Sequence, residues 1–430
     1  MKKLILLIAV LMPLALLAQT TNIADSTKYN SIVKYYSRLI TPQTTDASTF
    51  FKRGDAYYNL GDYQNALSDL DKAIALNANY EEAFFSRGRV RYELKNYQGA
   101  ISDFTQSITF KPNVGASYYN RGLSKRKLDD FNGAIADYTT ALSFDPKDID
   151  AYNDRGVAKK NIKDYKGAIA DYTQAILLDP KYTRAYYNRG LAKADSQDNL
   201  GAIEDFDKAI ALSPRDADAF YARGDARRHL KNYQAAIVDY SRAIEIDSNY
   251  VDAYNNRGLA KYNLGDYAGE IADDNKILTI DAKYANAYYN RALAKGKMNN
   301  YVEELDDFTT YLGLSPNDAD AYLERGNAKL SLEDYKGALD DYNQTLALSP
   351  DYTSAYFDRG LAKRHLEDYT GAIADYNKTL ELDPKYSDAY NSRGIVKHLL
   401  GDNAGSCADF KKALELGNTY AQENLDKFCK

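Results

Sequence analysis

Arginine and aspartate recur in step along this chain. Arg53, Arg87, Arg121, Arg155, Arg189, Arg223, Arg257, Arg291, Arg325, Arg359 and Arg393 follow one another at intervals of 34 residues, and each has an aspartate sixteen residues on, from Asp69 and Asp103 to Asp409. Two chemistries suit such a series. Unpaired arginines in regular array would bind anions. Arginines matched one to one with carboxylates would instead close two-point forks between neighbouring helices. The equal numbers favour the fork, which is expected to set register more than to add stability. The histidines offer less. His229, His365 and His398 all sit near the end of a helical stretch, and the last two come from adjacent repeats and so can approach each other, yet none has a second histidine at metal-ligand spacing. There is no His-Glu-x-x-His, no Gly-rich phosphate loop and no Gly-x-Ser-x-Gly. No catalytic, metal or cofactor site is predicted, and the chain is not read as an enzyme.

The elements that carry these residues are set by the same beat. Counting 34 positions from Ala47, eleven units run without insertion to Tyr420. Position 4 is always Phe or Tyr, position 7 Arg, position 8 Gly in ten units, and position 14 mostly Leu, Ile or Met, the spacing of a first helix. Position 16 is Asp or Asn in every unit, from Asp62 and Asn96 to Asp402, and is predicted to cap a second helix. Mostly Ala at 20, Tyr or Phe at 24 and a small residue at 27 form that helix's inner face. Pro at 32 in seven units turns the chain into the next. Each unit is a helical hairpin that cannot bury its apolar face alone, so the units must stack.

A 34-residue hairpin with Gly, Ala, a second aromatic and Pro at these spacings resembles the tetratricopeptide repeat (TPR) family, across about 370 of the 430 residues. The departures are Tyr or Phe at position 4 where the family has Trp, Arg at 7 where it has Leu, and Lys or Arg at 11 where it often has Tyr. The resemblance implies an all-α solenoid, a right-handed superhelix with capping helices at its ends. It also implies that positions 2, 5, 6, 9, 12 and 13 face a concave groove. Position 5 then supplies Tyr119, Tyr187, Tyr221 and Tyr289, position 6 supplies Asn120, Asn188, Asn256 and Asn290, and positions 12 and 13 supply Arg126, Arg228, Lys297 and Arg364. This is similar to the asparagine-lined groove of some long TPR arrays, where side-chain amides hold an extended peptide. An amide both donates and accepts, and tyrosine adds contact area with a polar end. The alternative at these positions is a solvated face with no single ligand. The family's carboxylate clamp, Lys at 5 with Asn at 9, is not matched, because position 5 never carries Lys. The expected function is a scaffold binding a protein or extended peptide. A carbohydrate-binding envelope protein and a structural component of an envelope complex are the other readings.

Both ends differ from the array. Residues 1–18, with Lys2 and Lys3 before an apolar run from Leu4 to Ala18, read as a signal peptide, so an exported protein is expected: periplasmic, envelope-associated or secreted. The run is short for a membrane span and Pro13 interrupts it, so no transmembrane span is expected in the mature chain. Removing Lys2 and Lys3 from 55 basic residues leaves 53 against 61 acidic, taking the net charge from −6 to −8 and arguing against a nucleic-acid partner. Residues 19–46 form a polar segment with a capping helix from Asp25 or Ser26 to about Ile40. Its inner face is predicted to carry Ile32, Tyr36, Leu39 and Ile40. Residues 421–430 end a C-terminal capping helix, and Cys407 and Cys429 are predicted to form a disulfide across it. Repeats seven and eight break the pattern with Glu270, Asp274, Ile277, Ala292, Glu304 and Tyr311. A loosened or bent junction is expected there, or alternatively a partner site or hinge.

Overall fold

The computed structural model describes residues 25–429. The expected signal segment, 1–18, lies outside the described residues. Among them the chain forms 24 α-helices, and it divides into two compact units, Met1–Pro214 and Arg215–Lys430. The first holds the N-terminal helix, residues 25–39, and five hairpins. The second holds six hairpins and the final helix Tyr420–Phe428. A representative hairpin pairs Thr183–Asp195 with Asn199–Leu212. No described helix is long and apolar enough to cross a membrane.

Three local rules make each hairpin. The first helix ends in a left-handed residue at position 15, with φ between +58° and +83° in all eleven repeats, eight of them not glycine. The next N–H turns back to the position 11 carbonyl at 2.8–3.0 Å, as in Asp164 to Lys159. The second helix is then capped from position 16. Asp or Asn there accepts a bond from the position 19 N–H in ten repeats. Position 19 is glycine in eight of those, with the bond at 2.9–3.0 Å. A Cβ on Gly133 or Gly167 would lie 2.1 Å from the capping carboxylate, so glycine lets the cap close. Where Asn65 or Ala235 stands instead, the bond lengthens to 3.3 Å. In repeat eight position 19 is Glu303, and Asn300 makes no capping bond.

The core lies between a second helix and the first helices on either side. In repeat four Tyr172, Ala168 and Ala175 close on Ala185 and Ala192 of repeat five. Position 8 is glycine because the position 24 ring lies against it. A Cβ on Gly156, Gly190, Gly326 or Gly360 would come within 2.6–2.7 Å of that ring.

The departures have local causes. In the N-terminal helix Ile32 and Tyr36 are partly covered and Ile40 packs on the first core cluster, but Leu39 is 47% exposed. The covered stripe steps from 32 and 33 to 36 and 40, and residue 39 falls outside it. In repeat seven Ile277 is fully buried, yet no ring fills the space against Gly258, whose Cβ would meet nothing nearer than Glu270 at 3.5 Å. Glu270 and Asp274 occupy that interior, each 1% exposed, each with one oxygen lacking a partner. Burial pushes Glu270 up to about 9 and Asp274 up to about 8, with neighbouring carboxylate charge second. At the C-terminus Cys407 and Cys429 are joined as a disulfide, their Cα atoms 5.7 Å apart.

Candidate functional site

The arginine series is not a row of free cations. Every position 7 arginine forks onto its own repeat's aspartate through Nε and one terminal nitrogen, at 2.5–3.0 Å. Those aspartates are 0–5% exposed. The other terminal nitrogen reaches the preceding second helix. Arg121 bonds Thr105, Arg189 bonds Thr173, Arg257 bonds Ser241 and Arg359 bonds Asn343. One guanidinium therefore ties three helices together. The cation at position 11 pairs with the same carboxylate at 2.7–2.9 Å in ten repeats, which explains its departure from the family pattern. The sequence reading left that residue without a role; its fixed spacing of twelve from the aspartate was the available signal.

The histidines do not converge. His365 stacks on Tyr335 with ring centroids 4.4 Å apart, and His398 packs on Phe428 and bonds Asn403. Among the described residues no group of three or more His, Cys, Asp or Glu is placed to hold a metal ion.

Within each unit most successive first helices touch, so positions 5, 6, 9, 12 and 13 share one face. Here the expected amides and tyrosines are half-buried, and most are linked across repeats. Asn188 donates to Asn153 at 2.9 Å, Asn290 to Asn255 at 3.2 Å, and Asn256 to the Tyr221 hydroxyl at 2.9 Å and Asp225 at 3.0 Å. Tyr119 donates to Asp154 at 2.7 Å, and Arg126 stands 3.8 Å from the same carboxylate. Arg228 pairs with Asp225, which also accepts from Tyr240. Asn120 differs: its amide bonds its own helix at Ala116. Tyr187 packs on Phe206, and Tyr289 lies between Phe308 and Tyr311. Lys297 is exposed at the rim of a cavity, and Arg364 lies beside His365.

Sequence reasoning followed the asparagines at position 6 and passed over the acids interleaved with them. Asp154, Glu324 and Asp358 occupy that position in repeats four, nine and ten, and Asp225 stands at position 9 of repeat six. Burial raises Asp154 against the lowering bond from Tyr119. It pushes Asp358 up to about 7, with Glu324 adding to the shift, and Glu304 up to about 7 for the same two reasons. Tyr289 is pushed up to about 12 by burial and surrounding carboxylates. The face can donate from amides and hydroxyls, accept through carboxylates and pack against rings.

Known proteins similar to this chain share its repeat. Family models described as tetratricopeptide repeat match residues 51–113, 183–216, 285–353, 323–387 and 357–421, and one described as TPR repeat matches 122–163, 162–197 and 224–265. No curated protein matches the chain. Among solved structures it is similar to YrrB, described as a TPR protein with an unusual peptide-binding site. That likeness is at 23% identity over 44% of this chain and 97% of the other, with a TM-score of 0.41. It is similar to MamA at 28% identity over 40% and 94%, TM-score 0.38. It is also similar to the C-terminal part of a TPR protein from Cytophaga hutchinsonii at 20% identity over 56% and 98%, TM-score 0.49.

Proposed function

Because the chain belongs to the tetratricopeptide repeat family, we propose that it is an exported, non-catalytic scaffold whose first-helix face holds an extended segment of a partner protein. The observation that carries this reading is the ladder of polar side chains linked from one repeat to the next on that face, as in Asn188 with Asn153 and Asn290 with Asn255. These links hold each amide in a fixed orientation, and an amide that gives one hydrogen bond keeps further donor and acceptor capacity for a peptide backbone. Tyrosines along the face add area at low entropic cost. Preorganisation of this kind reduces what binding costs in lost side-chain freedom.

Export is supported by the pattern of residues 1–18 and by the Cys407–Cys429 disulfide, which suits an oxidising compartment. A scaffold there would serve as an adaptor within an envelope assembly.

The test is an array of immobilised twelve-residue peptides probed with the chain from Gln19 onward and with an Asn188→Ala, Asn256→Ala, Asn290→Ala variant. Circular dichroism establishes that the variant is folded. The expected result is a set of related peptides bound by the parent and weakened about tenfold or more in the variant. A variant that binds them equally well, or a parent that binds none, refutes the reading.

A further inference from the structure

Glu304 stands at a core position where most repeats carry alanine, from Ala66 and Ala100 to Ala338 and Ala372. It is 6% exposed, yet its carboxylate faces a cavity of about 340 Å³ that opens among the first helices of repeats seven to nine. A second substitution accompanies it. Position 12 is glycine only at Gly296, and a Cβ there would lie 2.6–2.8 Å from the Glu304 carboxyl group. The glycine opens the first helix so that a carboxylate rooted in the second helix reaches the binding face. Removing either member of the pair would abolish that route.

No described residue gives the Glu304 carboxylate a hydrogen bond or an ion pair. Glu324 lines the same cavity and receives only a 3.5 Å contact from Asn327. Lys297 stands at the rim, outside ion-pair distance of both carboxylates. The larger neighbouring cavity, about 550 Å³, is different, because its acids are already engaged: Asp318 accepts from Tyr311 at 2.7 Å and Asp320 from Tyr352 at 2.5 Å. An acceptor-only group that faces an open cavity beside a second carboxylate is satisfied by a ligand that brings both donors and positive charge. Tyr262, Tyr301 and Leu293 line the walls and would cover the methylene stem of such a ligand.

We propose that this cavity is a subsite for a basic side chain, the lysine or arginine of a segment lying on the first-helix face. The inference rests on the peptide-binding reading above and adds the charge of one residue to it. Burial, and then the charge of Glu324, holds Glu304 up to about 7, with Lys297 opposing; a bound cation reverses that balance and favours the ionised form.

The experiment uses the chain from Gln19 onward and three probes, the N-acetyl N-methylamides of lysine, arginine and norleucine, titrated at pH 7.5 by ligand-observed NMR. Lysine and norleucine share an unbranched hydrocarbon stem and differ in charge. The expected result is that a cationic probe binds at least about tenfold more tightly than norleucine. That preference should vanish in Glu304→Gln and in Glu304→Ala, the latter restoring the residue that most repeats carry. Equal binding of cationic and neutral probes by the parent overturns the proposal, as does a preference that survives in Glu304→Gln. The two readings fail separately. Array peptides bound equally by parent and Glu304→Gln would remove the subsite and leave the peptide face. A cation preference with no peptide bound at all would do the reverse.

Discussion

Gly258 and Gly326 occupy the same position in repeats seven and nine, and replacing each with alanine should have opposite effects. Both lie inside first helices, Val251–Asn263 and Ala319–Ser331. Alanine is worth about 1 kcal/mol over glycine in a helix interior, and both variants collect that gain. They differ in what the new methyl meets. At Gly326 the Cβ would lie 2.6 Å from Cε1 of Tyr342, whose hydroxyl bonds Asn327 at 2.9 Å and so resists turning aside. At Gly258 the nearest atom is 3.5 Å away, an ordinary contact, because Asp274 replaces the ring. Overpacking a close core costs about 1–3 kcal/mol. Gly258→Ala should therefore stabilise by up to about 1 kcal/mol, and Gly326→Ala should lose up to about 2 kcal/mol net. Repeat eight shows what accommodation requires: with Ala292 at this position, the Phe308 ring stands edge-on to Tyr289 at 80°, against 46–60° for equivalent pairs in five other repeats. Hydrogen exchange read by mass spectrometry on the two first-helix peptides measures each site locally. Slower exchange at repeat seven by up to about fivefold, with faster exchange at repeat nine, is expected. Equal shifts in the same direction would refute the argument that ring contact is what keeps glycine at position 8.

Three further outcomes follow from the same geometry. Glu270 and Asp274 are protonated when folded and ionised when unfolded between their ordinary values, 4.5 and 3.8, and about 9 and about 8. The unfolded state thus binds fewer protons, and the stability of repeat seven should fall as pH rises from 5 to 8. Glu270→Ala with Asp274→Tyr should flatten that slope in exchange measured across the range. Asp164→Ala removes a 2.9 Å cap and should cost about 1 kcal/mol, whereas Asn300→Ala, which removes none, should leave the thermal transition unmoved. Arg189→Ala strands Asp205, 3% exposed, with Lys193 alone and should cost about 3–5 kcal/mol in denaturant unfolding. Arg189→Leu with Asp205→Leu and Lys193→Leu should recover most of that loss, because no buried charge is then left unpaired.

The array was legible in the residues because one solution to packing is repeated eleven times. A constraint that is local to each unit, such as a cap at position 16 or a proline at 32, leaves the same mark at the same place in every copy. The Arg–Asp pairing was legible for that reason too, since both partners recur at a fixed separation. The binding face was only half legible. Its amides and tyrosines stand at positions the family pattern names, but their bonds run between residues 31 to 35 apart, and those partners change identity from repeat to repeat. Asn188 meets Asn153, Asn256 meets Tyr221 and Asp225, and Tyr119 meets Asp154.

By itself, then, the sequence determined the helical hairpin, its period and the partner of every position 7 arginine, because those follow from spacing within one unit. Tertiary structure alone decided that the amides are bonded to each other, that Gly296 makes room for Glu304, and that repeat seven buries two carboxylates around a missing ring. Each of those depends on which side chain of one helix lies over which side chain of the next, and a linear pattern does not carry that distance.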